Sequence, residues 1–130
     1  MAVRSVRIAA AVAVCFVVLA GFGRWMASGA QAATDPVPGL MKSAADVARG
    51  RALFIGTCGA YCHKLTPGPG DAPFLFGCTF RHGGSDQEIF DTITHGVPGT
   101  RMVAFAGAFP DDDIWRIIAY LKSTSVCKNQ

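Results

Sequence analysis

Residues 57 to 64 read "TCGAYCHK", which sets Cys58 and Cys62 four positions apart and puts His63 directly behind the second thiol. Several chemistries bring two thiols and an imidazole this close. Cys58 and Cys62 can form a disulfide, with His63 incidental. They can bind a soft metal such as copper, with His82, His95 or Met102 as a further ligand. Alternatively, both sulfurs can be thioether-bonded to a haem whose iron His63 ligates, as in C-x-x-C-H with one residue added. The added residue lengthens the loop between the thiols and leaves the Cys62–His63 step intact. A thiol–disulfide protein cycling the pair usually carries it at a helix start after a strand. Here the pair follows a predicted helix and precedes a proline loop.

The rest of the 130-residue chain sets the context. Arg4 and Arg7 open it, an apolar run extends from Ile8 to Phe22, and "SGAQAAT" follows Met26 and Ala27. That order reads as a signal peptide over residues 1–32 with an A-x-A-like site at Ala30-Gln31-Ala32. An uncleaved anchor is the alternative, although the run ends before Arg24 and falls short of the ~20 residues that a spanning helix wants. Cys15 lies inside the run and would be discarded with it. The chain carries 12 Lys and Arg against 9 Asp and Glu. Arg4, Arg7 and Arg24 belong to the leader, so the remainder is formally neutral and offers no footprint for nucleic acid. An exported protein keeps few bare thiols, so Cys58, Cys62, Cys78 and Cys127 should each be occupied.

Residues 33–42 read as a linker and 43–130 as one small domain. "SAADVARGRALFIGTC" predicts a helix capped by Ser43, with Val47, Gly50, Phe54 and Ile55 at helical spacing. The long loop "KLTPGPGDAPFLFGCTFRHGG" should have a job, such as wrapping a ligand. "SDQEIFDTITHG" carries a capping box at Ser85 and Glu88, and Gly96 stops it. "GVPGTRMVAF" is a second loop. "PDDDIWRIIAYLKS" then begins with Pro110 and three aspartates where the helix dipole favours them, and buries Ile114, Ile117, Ile118 and Leu121. No run reads as a strand.

Residues 43 to 127 resemble a class I c-type cytochrome. "GRALFIGTCGAYCH" is similar to that family's first helix and "RIIAYLK" to its last. "APFL" resembles its G-P-x-L segment, and "GVPGTRMVAF" the loop that supplies a sixth ligand, with Val103 where the family usually has proline. The resemblance implies an all-α fold, three to four helices wrapped around one covalently bound haem c. It implies attachment at Cys58 and Cys62, and His63 and Met102 as axial ligands. It also implies that the Pro73 carbonyl, or less directly that of Pro69, orients His63. Gly50, Phe54, Ile117 and Tyr120 would make the contact between the two helices. With the haem holding two thiols, Cys78 and Cys127 are left to pair as a disulfide.

The implied function is that of a periplasmic one-electron carrier rather than an enzyme. It would take electrons from a dehydrogenase, the quinoprotein type included, and pass them to an acceptor or oxidase. Its redox partners would bind transiently, with neither nucleic acid nor, after leader cleavage, a membrane span. His82 and His95 are expected at the surface, and a copper-delivery protein or a thiol–disulfide protein are the competing readings.

Overall fold

Two of the helices begin at a serine whose side chain satisfies an exposed amide. The computed structural model describes residues 34–127, so the leader and its cleavage site lie outside the described residues. Four helices follow in order: α1 (Val37–Leu40), α2 (Ala44–Leu53), α3 (Asp86–His95) and α4 (Asp111–Thr124). Ser43 caps α2 by accepting the Asp46 amide at 3.2 Å. Ser85 and Glu88 close the full capping box on α3, and Gly96, at φ 69°, ends it in a conformation that suits glycine. Among the described residues there is no strand, only an isolated bridge between Ala106 and Phe109.

Two features depart from the sequence reading. Residues 33–42 were expected to be an unpatterned linker, yet Val37–Leu40 forms one turn of helix. The Asp35 carboxylate accepts the Val37 amide at 2.9 Å, and Val37 is 1% exposed against the core. One turn is shorter than a hydrophobic period, so it leaves no pattern in the sequence. The compact unit therefore begins at Asp35. Secondly, α2 reaches the cysteine pair through a widened, π-helical turn over Phe54–Gly59. Just beyond it, the amides of Cys62 and His63 both donate to the Cys58 carbonyl, at 3.2 and 2.9 Å.

The crossing of α2 over α4 organises the core. Gly50 is buried at the crossing, where a Cβ would collide with the Arg116 carbonyl. Phe54, fully buried, packs between Phe76 and Tyr120 with ring centroids 5.4 and 5.7 Å away. Ile114, Ile117, Ile118 and Leu121 complete the buried face of α4. Burying side chains of this size is worth roughly 1.5–3 kcal/mol each.

A charge network locks the same crossing. Asp113 is 8% exposed and accepts Arg49 through both oxygens, at 2.8 and 3.3 Å, and Arg116 at 3.2 Å. Arg116 also donates to Asp46 at 2.8 Å. The sequence suggested a dipole role for all three aspartates of α4, and Asp113 turns out to hold two helices together instead. Hydrogen bonding by Arg49 holds its carboxyl below the usual 3.8 against the opposing effect of burial. Arg116 does the same for Asp46.

At the other end of α4, Cys127 is bonded to Cys78 with Cα atoms 5.4 Å apart. The Val126 amide and the Ser125 hydroxyl both donate to the Phe76 carbonyl, at 3.0 and 3.4 Å.

Two outcomes follow from these contacts. A carboxylate whose folded pKa is depressed contributes stability that is present above its unfolded value and lost as pH falls through the folded one. Urea midpoints of the native protein should therefore hold steady down to about pH 4 and fall below it. Asp113→Asn should lower the midpoint at pH 7 and flatten that acid limb. Asp86, pushed up by burial, titrates the other way and is common to both proteins. Replacing Cys78 and Cys127 together by serine should cost about 4 kcal/mol by loop-closure entropy. Urea unfolding of the oxidised protein and the double variant measures the difference.

Candidate functional site

A cavity of about 430 Å³ opens between the 64–84 loop, α3 and the loop that follows it. This lies within the 300–1,000 Å³ typical of small-molecule and cofactor sites. Its walls are apolar: Ile89 and Ile93 from α3, Leu121 from α4, and Leu75 and Phe80 from the loop. Capped, amphipathic α3 supplies one wall through Ile89 and Ile93.

Cys62, His63 and Met102, with Pro73 beside them, line this space. Cys58 does not line it and packs half-buried against the core. His63 is 7% exposed, and its Nδ1 lies 2.8 Å from the Pro73 carbonyl oxygen. A carbonyl can only accept, so Nδ1 donates, and in the neutral imidazole the lone pair is then on Nε2. The Pro69 carbonyl accepts instead from the Lys64 ammonium.

Met102 is held by a loop that closes on itself. The Val97 amide donates to the Met102 carbonyl at 2.9 Å, and the Met102 amide donates to the Thr100 hydroxyl at 3.1 Å. Beyond it, the Phe105 and Ala106 amides donate to the carbonyls of Ile93 and Thr94 at the end of α3. Backbone groups that a helix end leaves open are thereby satisfied.

The two remaining histidines separate. His82 is exposed and lies on the cavity lining, closer to the site than the sequence suggested. His95 is exposed and bonds the Asp91 carbonyl in its own helix at 2.9 Å. Among the described residues no group of three His, Cys, Asp or Glu could hold a metal ion, so a copper site gains no third such ligand. Burial, with the neighbouring Cys62 adding to it, pushes the Cys58 thiol up to about 11. That suppresses the thiolate which disulfide exchange requires.

One element of the site left no signal in the sequence. Asp71 and Arg101, 30 positions apart, both line the cavity and pair at 3.0 Å. Nothing local in either loop announces a contact between them.

Residues 45–121, more than half of the chain, match the family described as cytochrome c oxidase, cbb3-type, subunit III. No curated protein and no solved structure matches.

The positive φ of Gly96 places it under the Met102 segment. A Cβ there would sit 2.6 Å from the Met102 carbonyl oxygen and 2.7 Å from the Ala104 amide nitrogen. Gly96→Ala should therefore cost about 1–3 kcal/mol in urea unfolding and displace the Met102 loop. An unchanged midpoint would mean that the loop is not seated on Gly96.

Proposed function

The chain belongs to the cytochrome c oxidase, cbb3-type, subunit III family of c-type cytochrome domains, and we propose that it works as a class I, monohaem, one-electron carrier in the periplasm. Membership makes it an electron-transfer protein with a covalently bound haem c, and not an enzyme. One observation carries the finer reading. Cys62, His63 and Met102 open onto a single apolar cavity, and His63 is tied back through Nδ1 so that Nε2 presents its lone pair to a ligand.

In this reading Cys58 and Cys62 hold the group through thioether bonds. His63, through Nε2, and Met102, through its sulfur, would be the side chains that hold the iron. When bound, haem c supplies one-electron exchange between ferric and ferrous iron. With His63 and Met102 both committed to holding the group, the chain would leave it suited to electron exchange rather than to binding a substrate. The Pro73 carbonyl fixes the plane of the imidazole and raises its basicity. The methionine sulfur and the apolar walls favour the less charged ferrous state.

The extra residue of the C-x-x-x-C-H stretch fits the same arrangement. The Cys62 and His63 amides share the Cys58 carbonyl, which takes up the added residue as a wider turn. His63 stays directly behind Cys62, and Tyr61, between the two cysteines, is 82% exposed. Single-residue widenings of this kind recur at functional sites.

Export rests on the residue 1–32 leader, and no described helix is long and apolar enough to cross a membrane. The domain after the leader carries no net formal charge, so association with its partners should be weakly steered and transient. A dehydrogenase, the quinoprotein type included, is the proposed donor. A downstream cytochrome or oxidase is the proposed acceptor.

Visible spectra of the purified protein test the reading directly. Sharp bands in the reduced state should survive acid–acetone extraction, and the oxidised protein should show a weak sulfur-to-iron band at the red end. Met102→Ala should remove that red band and leave the covalent group in place. Replacing Cys58 and Cys62 together should release the group altogether. A colourless native protein would sink the cytochrome reading, and metal analysis with a thiol count would then decide between copper and a disulfide.

A further inference from the structure

The segments on either side of the cavity are anchored very differently. On the His63 side, the loop is stitched to the C-terminal tail through Phe76, Val126 and the Cys78–Cys127 bond. On the Met102 side, apart from Arg101, the hydrogen bonds of residues 97–102 are internal to the loop, so they give it shape without fixing it to the opposite wall. The return segment is pinned only later, where Phe105 and Ala106 meet the end of α3. Among the described residues, one polar contact joins the 64–84 loop to the 96–110 loop: Arg101 Nη1 to Asp71 Oδ2, at 3.0 Å. Arg101 adjoins Met102 in sequence, and Asp71 stands two residues before Pro73, whose carbonyl holds His63.

We propose that Arg101 and Asp71 form a latch across the cavity mouth that holds the Met102 loop closed, with Arg101 as a positioning residue for Met102. The proposal rests on Met102 being an axial ligand. The two side chains are 75% and 85% exposed, so the latch is weak and sensitive to salt. Its effect should fall on how readily an outside ligand displaces the methionine, while the fold and the attachment of the group stay unchanged.

Imidazole is a suitable probe, because it competes for the position that Met102 would hold. Titrating oxidised holoprotein with imidazole, while following loss of the red sulfur-to-iron band, gives an apparent affinity. Arg101→Gln and Asp71→Asn should each tighten imidazole binding by about threefold to fivefold at low salt. The double variant should go no further than either single one. The charge reversal D71R/R101D should restore the native value. In 1 M salt, where screening reaches within about 3 Å, the native protein should approach the variants. Lys42→Gln, which removes a charge from the segment before α2, should change nothing. Single variants that bind imidazole like the native protein, or single effects that add in the double variant, would overturn the latch. A native protein with covalent haem but no red band would instead overturn Met102 as the ligand, and the latch with it.

Discussion

The close crossing of α2 over α4 is the constraint on which the rest depends. It is possible because Gly50 presents no side chain to the Arg116 carbonyl, and the backbones meet where any Cβ would intrude. Arg49, Asp46, Asp113 and Arg116 then fix the crossing from the solvent side, while Phe54 and Ile117 fix it from within. Because α2 runs on into the widened turn, its placement on α4 also sets where Cys58, Cys62 and His63 emerge. The chemistry at the cavity is delivered by a helix contact lying more than two turns of chain away.

A chain with four helices and two long loops has many backbone groups to satisfy, and here the loops use the helix ends for that purpose. The segment after Met102 donates to the last carbonyls of α3, and the tail beyond α4 donates to Phe76 in the opposite loop. These bonds hold the loops apart rather than letting them collapse onto one another. The consequence is an apolar space between α3 and the 64–84 loop whose lining has no protein partner. Apolar lining of this kind gains when an apolar group packs against it. The haem c that the family carries is, in the proposed reading, the group that would fill it.

Legibility in the sequence followed locality. The Ser43 cap, the Ser85–Glu88 box, the Gly96 stop and the apolar stripe of α4 are all encoded within a few residues, and each element stands where those signals put it. The coarse identity as a c-type cytochrome domain was also readable, because the Cys62–His63 step and two flanking helices lie in fixed order. The one-turn helix at Val37 escaped because its stabilisation comes from burial against α4 and not from any repeat. The dual attachment of Asp113 escaped because the dipole already gave an adequate local reason for an acid at that position. The Asp71–Arg101 pair had no local trace at all, since it depends on how two irregular loops meet. The widened turn lay between these cases: its extra residue was visible, while its conformation depends on two amides converging on one carbonyl.

The two sides of the cavity differ in what would yield first. His63 is held by chain adjacency to Cys62, by burial and by a carbonyl within a loop that the disulfide and the tail make rigid. Met102 is held by a loop closed on itself and by one exposed ion pair. Loosening of the native state by heat, salt or denaturant should therefore start on the Met102 side, because local opening follows the segments with the fewest buried contacts. For a carrier this asymmetry is useful. In the proposed carrier the buried side would keep the group in register with the core, and the Met102 side would be the first to yield. With Met102 holding the iron as proposed, the same weakness would give competing ligands a route to it, and the Asp71–Arg101 pair would restrain that route without making the loop rigid.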